Sequence, residues 1–102
     1  MILFTADYRQ QNYEIMGTVT GSCVMARNVV SDTVSNVKNL VGGELTHYSE
    51  LLDQALAIAV GRMKKQAEDL GADAVMAMRI STIDVVTGTA GVLAYGTAIK
   101  FC

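Results

Sequence analysis

Residues 42–75 read GGELTHYSELLDQALAIAVGRMKKQAEDLGADAV, and the fold turns on this stretch. A glycine pair opens it and Leu70-Gly71 closes it. Between those limits there is no proline, and only Gly61 interrupts a composition rich in helix formers. The spacing predicts one long helix over Glu44 to Leu70. At about 100° per residue, Leu45, Tyr48, Leu52, Leu56, Ala59, Met63, Ala67 and Leu70 share a face, the i, i+3, i+4, i+7 recurrence of a helix laid on a core. Glu44, Glu50 and Asp53 gather toward its N-terminal end, and Arg62, Lys64 and Lys65 toward its C-terminal end, as the helix dipole favours. His47, Leu51 and Ile58 form a second, semi-apolar stripe on the opposite side, which a solvated helix would not need. The short helix described next, or a neighbouring subunit, is expected to cover it.

Upstream, Ile2 to Ala6 reads as a short strand and Asp7 to Asn12 as a loop with a part in assembly. Glu14 to Ala26 reads as the first long strand, with Ile15, Val19, Cys23 and Met25 alternating onto one face. Gly17 and Gly21 share that parity and mark a bulge or a close backbone approach. Asn28 can cap a short helix carrying Val30, Val34, Val37 and Val41, stopped by Gly42. Beyond Gly71, AVMAMRISTIDVV is apolar on both parities and reads as a strand covered on both faces. Thr87 to Gly91 reads as a hairpin loop, and VLAYGTAIKF as a last strand with Leu93, Tyr95, Ile99 and Phe101 together. The order gives an α+β, two-layer architecture. A three-stranded, mainly antiparallel sheet (β-α-α-β-β) carries the long and the short helix on one face, with a short N-terminal strand added.

A chain of 102 residues suits one domain, residues 1–102, with a single apolar core. Charged residues make up 18% of it, against about 25% in a typical soluble protein. A surface so short of charge is expected to meet another subunit, and the second sheet face gives a reason. If that face carries Val75, Ala77, Ile83, Val85 or Val92, one chain has nothing left to cover it, and oligomerisation is the economical answer. The net charge of −2 and pI near 5.1 offer no basic field, so nucleic acid is not an expected partner. No apolar run approaches the roughly 18–20 residues that span a bilayer, and the opening MILFTADYRQ lacks a basic n-region and a small-residue cleavage site. Two cysteines without a CxxC pairing fit a reducing compartment, so a cytoplasmic protein with no membrane partner is expected.

Three blocks carry a family resemblance. They are Gly17-x-x-x-Gly21 followed by Asn28 and Asp32; Val41-Gly42-Gly43 with Tyr48, Leu52, Ala55, Ala59 and Ala67, closing in Leu70-Gly71-Ala72-Asp73-Ala74-Val75; and Gly96-Thr97-Ala98 with Lys100. Across nearly its whole length the chain resembles the YbjQ-like family, which carries a heavy-metal-binding label. The resemblance implies a dodecin-like subunit with the last strand in the middle of the sheet, assembled as a homopentamer. It brings no defined ligand set. Ser22, Ser31 and Leu56-Ala57 stand where relatives tend to carry charge, which weakens any polar site the family shares.

Candidate chemistry is sparse. His47 is the sole histidine, and with Glu44 and Glu50 it forms the ExxH spacing of di-iron bundles, which need further carboxylates that the short helix does not supply. The 100° projection turns it away from the apolar face, toward solvent or an interface, where a ring of five would gather one per subunit. Cys23, on the parity of Val19 and Met25, reads as a buried thiol acting as a small hydrophobe, with soft-metal ligation as the alternative. Cys102 is terminal, and a disulfide between it and Cys23 is not expected. The six methionines read as core filling, and Gly42-Gly43 as a helix-terminating turn rather than an anion cradle. Arg79 and Asp84 read as an ion pair across a subunit interface. No spacing supports nucleophilic or acid–base catalysis, so an enzyme is not expected. The expected function is that of a cytoplasmic, pentameric homo-oligomer binding a heavy or soft metal, or a small ligand, at subunit interfaces, with Cys23 and His47 as candidate metal residues. The alternative is a scaffolding ring with a protein partner and no ligand.

Overall fold

The computed structural model describes residues 1–26, 43–83 and 89–102, and of residues 26 and 43–48 the backbone alone. The elements are β1 (Ile2–Leu3), β2 (Tyr13–Ala26), α1 (Gly43–Asp69), β3 (Ala74–Ile83) and β4 (Thr89–Phe101). They form an α+β layer with strand order β1-β3-β4-β2. β4 lies between β3 and β2 and pairs antiparallel with both. β1 adds a parallel pair to β3, through Ile2 opposite Ala74 and Leu3 opposite Val75. The sheet is therefore mixed and has four strands where three were expected, because the short N-terminal strand expected beside them pairs parallel with β3. The short helix expected after Asn28 lies outside the described residues, as do Thr87 and Gly88 of the expected hairpin loop, whereas Thr89 to Gly91 of that loop belong to β4, opposite Ala26 to Val24.

The helix ends where the sequence says it should. Gly71 adopts φ 81°, and two bonds close the terminus, Ala72 N–H to the Ala67 carbonyl at 3.1 Å and Gly71 N–H to the Glu68 carbonyl at 2.9 Å. This is the paired bonding that satisfies carbonyls left without helical partners, with glycine at the left-handed position where a Cβ would be strained.

The face that α1 buries is not quite the expected one. Ala55, Ala59, Met63 and Ala67 are fully buried, whereas Leu56 and Leu70 are exposed. The cause lies in β2. A Cβ on Gly21 would meet the backbone carbonyl of Ala59, the backbone nitrogen of Met63 and, at 3.0 Å, the carbonyl carbon of Arg62. The helix rests its backbone directly on the strand, which demands small side chains at the contact and rotates Leu56 outward. Around this contact Val19, Cys23, Val75, Val92, Ala94 and Ala98 complete the main core. Each fully buried Met63, Val19, Val75 and Val92 contributes about 1.5–3 kcal/mol.

Two bulges reset strand parity. Between Ile15 and Gly17 the β2 register shifts, with Gly17 at φ 135°, so Ile15 pairs with Ile99 and leaves the face of Val19 and Cys23. In β3 the register jumps from Met76–Thr97 to Arg79–Tyr95, placing Ala77 and Met78 opposite Gly96 alone. Ala77 takes φ 54° there. A Cβ on Gly96 would sit 2.6 Å from Val75 Cγ1 and 3.3 Å from Met78 Cα, which explains glycine opposite the bulge. Coverage of β3 on both faces accordingly holds for Ala74 to Met76 and fails from Arg79 to Ile83, all exposed.

The second sheet face is not left wholly to a partner, as the sequence reading had it. The N-terminal segment continues beyond β1, with Met78 N–H bonded to the Phe4 carbonyl and Ala77 N–H to the Ala6 carbonyl, both at 3.1 Å. It lays Phe4 and Tyr8 beside Tyr13 and Phe101 over buried Ala74, Met76 and Ile99. The other end of that face stays open, with Val24, Ile83 and Tyr95 exposed.

Candidate functional site

Cys23 projects from β2 opposite Val92, beneath α1, and is buried among apolar side chains that include Val19, Ala55 and Ala59. Met63 is buried in the same cluster, and Met16, Met25 and Met78 pack against it, so sulfur is abundant there. Low polarity and close packing give this thiol the surroundings of an inert core cysteine. Cys102 is exposed, and its N–H bonds to the Asn12 carbonyl at 3.1 Å, beside the start of β2. Cys23 lies toward the other end of that strand. His47 falls in the first turns of α1, and its side chain lies outside the described residues. Among the described residues no three His, Cys, Asp or Glu side chains gather as a metal shell.

The polar side chains of α1 serve the sheet edge. Gln66 Oε1 accepts the Thr20 N–H at 2.7 Å, and Arg62 Nη1 donates to the Ser22 carbonyl at 2.7 Å. These partners lie on the margin of β2 that faces away from β4, so the helix satisfies part of an otherwise open edge. Lys65 and Asp69 form an exposed pair at 3.5 Å, a geometry that contributes little. Arg79, expected in an ion pair with Asp84 across a subunit interface, binds carbonyls of its own chain. The bulge at Ala77–Met78 turns it to the N-terminal segment, where Nη1 donates to the Thr5 carbonyl at 2.6 Å and to the Met78 carbonyl at 2.8 Å. Asp84 lies outside the described residues.

The feature that sequence reasoning missed is at the N-terminal segment. Tyr8 stands between Phe4 and Phe101, with ring centroids 5.4 and 5.1 Å away, and Tyr13 meets it edge-on at 6.2 Å. Four of the chain's six aromatic residues thus converge at one end of the sheet. Beside them opens a cleft of about 450 Å³, lined by the half-buried Phe4, Tyr8 and Phe101 and by the exposed Ile2, Asp7, Arg9 and Gln10. The signal was present in the spacing of Phe4, Tyr8 and Tyr13 across a stretch that otherwise reads as polar loop.

A family model described as "Putative heavy-metal-binding" (YbjQ_1) matches residues 1–102. The chain belongs to the YbjQ-like family. Relatives named UPF0145 proteins include one from Clostridioides difficile, 50% identical over 86 residues, covering 84% of this chain and 77% of the relative. One from Thermotoga maritima is 47% identical over 87 residues, covering 85% and 82%. Another, from Clostridium novyi, is 44% identical over 101 residues and covers 98% of both chains. A crystal structure of a DUF74-family protein of unknown function from Pediococcus pentosaceus superposes with a TM-score of 0.72 at 22% identity, covering 100% of this chain and 98% of that one. That likeness extends to the fold alone. In this YbjQ-like chain no described helix is long and apolar enough to cross a membrane. The two residues singled out for metal, Cys23 and His47, are not brought into a common described site.

Proposed function

We propose that this YbjQ-like protein is a cytoplasmic homo-oligomer, a ring of five copies, that binds a heavy or soft metal ion, or a small ligand, where subunits meet. The observation that carries the assembly is the unfinished end of the sheet. There Val24, Ile83 and Tyr95 are 56%, 39% and 39% exposed on one face. β1 reaches only Ala74 and Val75 of β3, so the outer margin of Arg79 to Ile83 has no strand beside it among the described residues. An apolar face and a β-branched edge together are a template for pairing with another chain. The number five comes from the family resemblance, and the metal from the family's description. The reading puts an ion between copies, with Cys23 and His47 as candidate donors.

Native mass measurement with elemental analysis tests both parts. The expected result is a multiple of the 10.9 kDa chain, fivefold for the ring, with a fixed ratio of one soft metal to protein after cadmium or copper(I) loading and dialysis. A monomeric mass overturns the assembly. Uptake undiminished in Cys23→Ser removes the thiolate, and uptake undiminished in His47→Ala removes the imidazole. The burial of Cys23 in an apolar core favours a second reading, a scaffolding ring with a protein partner and no ligand. A ring that retains no metal would support that one.

A further inference from the structure

We propose that the cleft beside the N-terminal segment binds a planar aromatic monocarboxylate, stacked on the Phe4, Tyr8 and Phe101 floor with its carboxylate on Arg9. The cleft is made of one chain's residues, so this site stands apart from the intersubunit reading above. Its volume of about 450 Å³ falls in the range of small-molecule pockets, about 300–1,000 Å³. Its floor is aromatic, and the rings already adopt the tilted contacts that such faces favour, with interplanar angles of 41° and 40° to Tyr8. A flat aromatic guest would extend that stack.

The polar edge supplies the rest of the recognition. Arg62 and Arg79 are both committed to backbone carbonyls of their own chain. Arg9 edges the cleft and makes no hydrogen bond or ion pair among the described residues. A guanidinium with its donors free at the mouth of an aromatic cleft matches a carboxylate, which it can bind with two parallel hydrogen bonds. Asp7 shares the rim. Its carboxylate repels a second negative charge, which turns the preference from dianions such as phosphate esters to monocarboxylates. The aromatic floor and the free guanidinium are independent features, and both point to the same class of guest.

The chain contains no tryptophan, so the fluorescence of an indole probe can be followed without protein background in that band. Titration of the intact protein with indole-3-acetate, indole and tryptamine separates the contributions of ring and charge. Indole-3-acetate is expected to bind saturably, one per chain, about fivefold tighter than indole, the size of a partly exposed ion pair, with tryptamine no tighter than indole. Arg9→Gln, at an exposed position, is expected to leave the circular dichroism spectrum intact and to reduce indole-3-acetate to the affinity of indole while indole itself is unaffected. Phe101→Leu is expected to weaken all three. The assignment is overturned by an absence of saturable binding at millimolar indole-3-acetate, by equal affinities for indole-3-acetate and indole, by tighter binding of tryptamine, or by an unchanged affinity in Arg9→Gln.

Discussion

The backbone carbonyl of Ala59 occupies the space in which a side chain on Gly21 would begin. Nothing flexible lies at that contact, because the other neighbours are the backbone atoms of Arg62 and Met63. A methyl group there lifts the helix from β2 and loosens the packing of Val19, Ala55 and Ala59. Gly21→Ala is therefore expected to destabilise the protein by about 3 kcal/mol, the upper end of overpacking penalties. A lowered urea midpoint at unchanged slope would confirm it, and a wild-type midpoint would refute the direct seating of helix on strand.

Gly61 is the opposite case. It lies mid-helix, with nothing within 4 Å of the position its Cβ would take. Glycine there only adds backbone freedom to the unfolded chain, and no packing demands it. Gly61→Ala is expected to stabilise by about 0.5–1 kcal/mol. Thermal unfolding followed at 222 nm reads the gain, and a fall in midpoint would show that the helix surface at Gly61 is occupied.

The contrast between these two glycines shows what was legible in the sequence. Periodicity and the Leu70-Gly71 stop gave the long helix to within a residue at each end, and strand parity gave Gly21 as a close approach. The phase of the helix was misjudged because hydrophobicity ranks Leu56 above Ala55, whereas a backbone-to-backbone seating selects the smaller side chain. The bulges at Gly17 and at Ala77–Met78 were costlier, since one extra residue reverses every later side chain. They moved Ile15 off the core face and turned Arg79 to Thr5. The aromatic cleft was hidden because its parts, Phe4 and Phe101, lie at opposite ends of the chain and meet only through the parallel pairing of β1 and the antiparallel pairing of β4.

Gln66 and Arg62 stand one helical turn apart and satisfy backbone groups two residues apart on β2. Replacing either by alanine leaves an edge group to water and uncovers a site for strand addition. The expected loss of stability is about 0.5–1.5 kcal/mol for each. The more diagnostic outcome is faster aggregation of the double variant than its stability explains, compared by light scattering with a surface variant of equal midpoint. Equal aggregation rates would leave the pair a purely local role.

Arg79 fastens the N-terminal segment through the Thr5 carbonyl. Arg79→Ala is expected to cost about 1 kcal/mol, since the guanidinium is exposed. The effect should be local. The amide of Phe4, bonded to the Val75 carbonyl, and those of Ala77 and Met78, bonded to the Ala6 and Phe4 carbonyls, should exchange about fivefold faster, whereas amides of β4 should not. Uniform acceleration would mean that Arg79 supports the whole fold instead.

Ile83 ends β3 on the margin of the sheet that has no strand beside it among the described residues, 39% exposed on the same face as Tyr95. Within one subunit its side chain has little to lose, so Ile83→Lys should fold with an unchanged circular dichroism spectrum. Between subunits a lysine there places a charge on an apolar face and blunts an edge strand, the means by which sheet proteins prevent pairing. If copies of the chain join at this end, the variant shifts from the assembled mass toward 10.9 kDa, with a midpoint of dissociation at least about tenfold higher in concentration. An assembly of unchanged mass and stability would exclude this end of the sheet as the contact.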